Sequence, residues 1–271
     1  MKIGVFDSGL GGLTILKSLL EQLPEYDYVY LGDNARVPYG NRSPEVIYEF
    51  TKQAVDFLFK QDCKIVILAC NTATATSLRK IQQEYLLKHF PDRKVLGVIR
   101  PTVETVLESG TKKIGVIGTR ATVISASFVK EIMKMNSELQ VFQQACPLLV
   151  PIIEEAEIEW EGIELILMKY IKELQKNNID SLILGCTHYG LVEKQIQKAV
   201  GNNVHIFSEG TIVAKKLKSY FNNHPEVESC LSKNNQRIYY VTDVNERFKK
   251  MMKLFLGNQI NDEDRLQLVR I

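Results

Sequence analysis

The sequence predicts an α/β protein made of two related parallel-sheet units. Three observations carry that expectation. First, short apolar runs alternate with stretches of helical length, the pattern of strand–helix–strand units. Second, the chain repeats itself. Lys2-Ile3-Gly4-Val5 recurs as Lys113-Ile114-Gly115-Val116, and Ile65-Val66-Ile67-Leu68-Ala69-Cys70-Asn71-Thr72 recurs as Ser181-Leu182-Ile183-Leu184-Gly185-Cys186-Thr187-His188, in the same order and at similar spacing. Third, the chain has 271 residues, 45% hydrophobic and 24% charged. At roughly 100–200 residues per domain that suffices for two cores.

Taken in order, strands are expected at residues 2–6, 28–31, 65–69, 95–98, 113–117, 139–143, 181–184, 204–207 and 237–241. Helices are expected at 44–60, 72–87, 121–135, 161–177, 192–200 and 245–255. Ser43-Pro44 reads as an N-cap followed by the first helical residue, and Pro101 suits the same role. Residues 258–271 carry the weakest pattern. The first strand meets an acid at Asp7, which is a strand ending and not the apolar stretch of a signal peptide, so a cytoplasmic protein is expected. No apolar run reaches about 18 residues, so no membrane span is expected. Lys plus Arg number 34 against 32 Asp plus Glu, a formal charge of +2, which argues against a nucleic-acid partner.

Five cysteines (63, 70, 146, 186 and 230) include no CxxC pair, which argues against a disulfide framework. Two of them stand out. Cys70 and Cys186 each end a strand, just before an expected helix N-terminus, where backbone N–H groups and the helix dipole favour a thiolate. Ligands of open α/β sheets bind beyond the carboxyl ends of the strands. If the two units face each other about a pseudo-twofold axis, the two sulfurs flank one cleft. That arrangement suits inversion of a stereocentre, one thiolate removing an α-proton and the opposing thiol returning one to the far face. Either cysteine alone reads equally as a buried strand-end residue.

The other motifs are weaker singly. The turn Asp7-Ser8-Gly9-Leu10-Gly11-Gly12 fails the dinucleotide fingerprint, since Thr14 stands where a third Gly belongs, and it lacks the Gly-Lys-Ser/Thr of a P-loop. Its N–H groups could hold a carboxylate, with Asp7 in the cleft; a plain Asp-Ser helix cap is the alternative. The loop 31–40, with Pro38 and Gly40, offers Arg36 as a carboxylate partner. Glu154 closes the apolar, proline-braced loop 146–154 and could assist proton transfer, or simply start a helix. His188 could serve Cys186, or cap the chain. A zinc site at Cys70, Cys186 and His188 lacks the usual close chelate spacing.

Together these residues resemble the cofactor-independent glutamate racemases, within the aspartate/glutamate racemase superfamily. The resemblance rests on Gly4 to Thr14, Gly32-Asp33 with Ala35 to Gly40, Ala69 to Ala73, Gly115 to Thr119, Cys146 to Pro151 and Leu184 to Tyr189. Departures fall at Asn34, Arg100-Pro101-Thr102, Gly190 and Phe207 and spare the two thiol motifs. The resemblance implies two pseudo-symmetric α/β domains with the active site between them. The chain then crosses over and returns, giving a first domain of residues 1–98 plus 209–271 and a second of 99–208. It implies Cys70 and Cys186 as acid/base thiols, Asp7 assisting the first and His188 and Glu154 near the second. Substrate would be held by Asp7, Ser8, Tyr39, Gly40, Asn71, Thr72, Thr187 and His188. It further implies no cofactor and no metal, a homodimer, and D-glutamate made for peptidoglycan. Rival expectations are an aspartate or hydantoin racemase, a non-catalytic two-domain acid-binding protein, and, more distantly, a thiol-redox protein.

Overall fold

The computed structural model describes residues 1–244, 246–259 and 265–271. The strands are β1 (Lys2–Asp7), β2 (Tyr28–Gly32), β3 (Cys63–Leu68), β4 (Lys94–Gly97), β5 (Lys113–Gly118), β6 (Gln140–Ala145), β7 (Ser181–Gly185), β8 (His205–Phe207), β9 (Arg237–Val241) and β10 (Arg265–Leu268). The helices are α1 (Leu13–Gln22), α2 (Pro44–Lys60), α3 (Asn71–Lys80), α4 (Leu86–His89), α5 (Ile99–Glu108), α6 (Arg120–Ser125), α7 (Ser127–Met135), α8 (Leu149–Glu154), α9 (Gly162–Gln175), α10 (Glu193–Val200), α11 (Glu209–Asn223), α12 (Pro225–Glu228) and α13 (Glu246–Leu256). Ser43 caps α2 as expected, its side chain accepting from the Val46 N–H, with Pro44 at the first helical position. Pro101 instead lies inside the first turn of α5.

All observed strand pairs are parallel. One sheet has the order β10-β9-β2-β1-β3-β4 and the other β6-β5-β7-β8. Their inner strands are buried on both faces, which is why they read as continuous apolar runs without alternation. The repeat in the sequence is a repeat in topology: 2-1-3-4 in one sheet is 6-5-7-8 in the other. In each, the chain changes direction across the sheet between the first and third strands of the unit, the position where α/β sheets open a crevice at their carboxyl ends. The turns after β1, β3, β5 and β7 therefore lie at the two switch points. The largest buried apolar cluster runs from Ile3 and Val5 through Leu10 and Ile117 to Leu182 and Leu184, joining the units through one core.

Several boundaries differ from expectation. The helix expected at 72–87 is broken by a π-helical turn, Ile81–Tyr85, before α4. The one expected at 121–135 is split at Ala126, whose φ of 52° ends α6 and starts α7. α1 and α11 were not anticipated, nor was β10, which adds to the edge of the first sheet. Asn245, the expected start of the last helix, lies outside the described residues, as do 260–264 of the tail.

Candidate active site

The first switch point assembles around β1 and β3. Asp7 closes β1, fully buried, and its Oδ2 accepts the Gly9 N–H at 2.9 Å, an Asx turn that reverses the chain. Tyr30 Oη fixes the same turn by donating to the Gly9 carbonyl at 2.9 Å. Ser8 then places its Oγ 3.3 Å from Cys70 Sγ. Cys70 is the N-cap of α3, its sulfur accepting the Ala73 N–H at 3.4 Å. The thiol is thus at a helix N-terminus, as expected, yet it is not lowered in pKa. Burial pushes it up to about 12, the Asp7 carboxylate acts in the same direction, and the Ser8 and Ala73 hydrogen bonds oppose them. Away from water, desolvation outweighs the helix end.

The second switch point uses β5 and β7. Cys186 follows β7 in extended conformation and precedes a 3₁₀ segment, Thr187–Val192, in place of the expected α-helix start. That tight segment turns His188 back onto the cysteine, Nδ1 lying 3.7 Å from Cys186 Sγ. The other ring nitrogen, Nε2, is 3.0 Å from Glu154 Oε1. Glu154 is the last residue of α8, not the first of a helix. A relay of carboxylate, imidazole and thiol results. Burial opposes charge on His188, but its bonds to Cys186 and Glu154 prevail and hold its pKa well above the usual range. The Phe255 ring of α13 meets the His188 ring edge-on at 6.1 Å.

The two halves touch. Thr187 Oγ1 donates to Asp7 Oδ1 at 3.4 Å, and Cys186 is among the groups that raise the Cys70 thiol. Asp7 itself is raised by burial, against the lowering effects of His188 and the Gly9 and Gly12 N–H groups. A Cβ on Gly11 would overlap Thr187 Oγ1 and His188 Nδ1, and one on Gly40 would come 2.6 Å from Thr119 Cβ. The glycines in these loops therefore serve close approach of one unit to the other. From the first unit Ser8, Tyr39, Gly40, Cys70, Asn71 and Thr72 line the cleft. From the second come Cys186, Thr187 and His188. Asp7 and Glu154 stand one bond behind, through Thr187 and His188.

Arg36 does not join them. It pairs with Asp33 at 2.6 Å, donates to Gln53 at 2.7 Å and stacks on Phe50, so its expected role as a carboxylate partner in the cleft is not met. Asp33 is instead the post that holds the loop, also accepting from Tyr39 and from Thr242 at 2.9 Å. Asn34 ties the same loop to the end of β9, donating to the Asp243 carbonyl at 2.6 Å. A larger cavity of about 1430 Å³ borders α3, α5, α7 and α11 and contains no cysteine.

Thr119, Cys146 and Pro147, which stand in motifs noted in the sequence but given no site role there, also line the cleft, as does Arg120, which the sequence does not mark. Thr119 bonds Thr72 at 2.9 Å and Thr122 at 3.0 Å, a hydroxyl cluster spanning the units. A signal existed: β5 repeats β1, so the residue after β5 occupies the place that Ser8 holds after β1. Glu209, buried behind Asn71, was also passed over. Among the described residues no group of three or more His, Cys, Asp or Glu side chains is placed to hold a metal ion, and no helix is long and apolar enough to cross a membrane.

Comparison with known proteins gives a consistent picture. The family model described as Asp/Glu/Hydantoin racemase matches residues 3–217. The chain is 40% identical over 261 residues to the glutamate racemase of Aquifex aeolicus (strain VF5), covering 96% of each. It superposes on the crystal structure of glutamate racemase from Francisella tularensis subsp. tularensis SCHU S4 in complex with D-glutamate with a TM-score of 0.88 and 35% identity, covering 99% of this chain and 97% of that one. For the glutamate racemase isoform RacE1 of Bacillus anthracis the TM-score is 0.89 at 33% identity, covering 100% and 97%.

Proposed function

The chain belongs to the Asp/Glu/hydantoin racemase family, and on that premise we propose that it interconverts L- and D-glutamate by proton transfer between two thiols. The observation that carries this reading is the placement of Cys70 and Cys186. Each follows the equivalent strand of its unit, both line one cleft, and each has its own acid/base neighbour, Asp7 on one side and the His188–Glu154 pair on the other.

The α-proton of an amino acid is very weakly acidic, so the site must supply a strong base in a preorganised, water-poor setting. One sulfur, as thiolate, takes the α-proton and becomes a thiol. The electron pair left on the α-carbon then takes a proton from the opposing thiol, on the other face. The product has inverted configuration, no net proton is gained or lost, and the two sulfurs have exchanged protonation states. His188, 3.7 Å from Cys186, is placed to pass a proton to or from that thiol, with Glu154 holding the ring in register. Ser8 orients Cys70, and Asp7 raises the basicity of its thiolate. Asn71, Thr72, Thr187, Tyr39 and Gly40 supply polar groups for the substrate's ammonium and carboxylates.

The domain division that suits this reading is 1–98 plus 209–271 against 99–208, with the cleft between. The same reading makes the protein a cytoplasmic homodimer that supplies D-glutamate for peptidoglycan. The direct test is a panel of L-glutamate, L-aspartate and a 5-substituted hydantoin, followed by polarimetry with no added cofactor. Racemisation of glutamate alone is expected. Turnover of aspartate or the hydantoin in its place would move the chain elsewhere in the family, and binding without turnover would make it an acid-binding protein.

A further inference from the structure

The mechanism leaves a buried carboxyl beside the cleft unused. Glu209 opens α11, is only 3% exposed, and its Oε2 accepts from Asn71 Nδ2 at 2.6 Å. Asn71 follows Cys70 and lines the cleft. Among the described residues neither Glu209 Oε1 nor Asn71 Oδ1 has a hydrogen-bond partner. The Thr102 hydroxyl of α5 lies against the carboxyl, where it favours the ionised form, and donates to the Val98 carbonyl at 2.9 Å. The charged and titratable neighbours are Asp7 at the end of β1 and, around a shared cavity of about 300 Å³, Lys17 of α1, Cys186 after β7 and Glu193 of α10.

The chemistry of the pair is directional. An ionised carboxylate only accepts, whereas a carboxylic acid can also donate; a primary amide donates at one end and accepts at the other. Ionised Glu209 therefore admits Asn71 in one orientation, with Nδ2 toward Glu209 and Oδ1 left as the free acceptor. Protonated Glu209 also admits the reverse, with Oδ1 toward the acid and the NH₂ group free. We propose that Glu209 is a positioning residue that locks the Asn71 amide with its oxygen as the free group, so that the cleft offers an acceptor to the ammonium of the bound amino acid. The proposal rests on the amino-acid racemase reading above and deepens it at Asn71. Burial pushes the Glu209 carboxyl up to about 8 against the Asn71 and Thr102 hydrogen bonds, with Asp7 acting in the same direction as burial, so both orientations come within reach near neutral pH.

Two measurements test this. Kinetics of glutamate racemisation are followed from about pH 6 to 9.5 in the wild type and in Glu209→Gln, an isosteric change that keeps the site filled. In the wild type KM falls as pH rises through the Glu209 titration. In the variant KM is about tenfold higher at alkaline pH, kcat changes less, and that inflection of KM is gone. Side-chain ¹⁵N spectra of Asn71 need neither turnover nor a variant: its NH₂ resonances shift with a single titration in the wild type. Variant kinetics matching the wild type, or Asn71 resonances that do not titrate, would overturn the proposal. A wild type that titrates at Asn71 but does not racemise glutamate would count against the proposed function and leave the Glu209–Asn71 coupling standing.

Discussion

At the scale of single residues, burial raises the Cys70 thiol and the Asp7 carboxyl above their ordinary ranges, and hydrogen bonds to Cys186 and Glu154 raise the His188 imidazole above its own. Replacing Cys70 or Cys186 by Ser exchanges a thiol for a hydroxyl far too weak an acid to shuttle the proton, and racemisation should fall by at least about 10³-fold in either variant. Near-full activity in both would remove the two-thiol mechanism. His188→Asn keeps a polar group but no transferable proton, so a loss of about 10²-fold in kcat is expected with a smaller change in KM. Glu209 adds a stability signature. Its carboxyl titrates at about 8 in the fold against an ordinary 4.5, so the folded state holds the proton that the unfolded chain has already released. Its contribution is fully present below about pH 4.5 and is lost as pH rises through 8. Glu209→Gln should therefore flatten the fall in Tm between about pH 5 and 8, and parallel wild-type and variant curves would contradict it. Much of the site is legible in the sequence because strand-end cysteines, Asp7-Ser8 and Cys186-Thr187-His188 are contiguous signals. Glu209 is not, because it meets Asn71 only through the packing of α11 against α1 and α5. Arg36 misleads for a local reason: Asp33, three residues before it, takes it inside the loop.

At the scale of elements, the turns do the positioning. Gly11→Ala drives a methyl group into Thr187 and His188, and the contact cannot relax without moving the 3₁₀ segment that carries both. Activity should drop by more than stability alone explains, with a destabilisation of about 1–3 kcal/mol read by chemical denaturation. The opposite case is Ala126, held at φ 52° where α6 meets α7. Ala126→Gly should stabilise the fold by about 0.5–1 kcal/mol, since glycine carries no Cβ penalty there, and a loss of stability would show that the methyl packs usefully. Such breaks explain where element reading stops. Nothing in the run from Ala121 to Met135 marks Ala126 as left-handed, and the π turn at 81–85 keeps a helical composition. α1 hides behind the glycine-rich turn, and among the described residues β10 pairs with β9 alone, so its short run carries little pattern of its own. The buried strands were readable because parallel sheets covered on both faces leave nothing but apolar side chains.

At the scale of the whole molecule, the pseudo-symmetry is the mechanism's frame. Equivalent sheets bring equivalent strand ends to one cleft from opposite sides, which is what a reaction on two faces of one carbon requires. Cys70 and Cys186 are 5% and 6% exposed, so alkylation by iodoacetamide should be slow and should slow further with glutamate bound. Unprotected, fast alkylation of both would show that the cleft stands open and holds no amino acid. In the two-thiol reaction a proton leaves one face of the α-carbon and a different proton reaches the other. It is tested most directly by incubating the metal-chelated protein with L-glutamate in D₂O, without cofactor, and following optical rotation together with α-deuterium by mass. Loss of rotation is expected, with deuterium appearing in the D-glutamate formed. Racemisation without deuterium in the product, or no change in either signal, would contradict it.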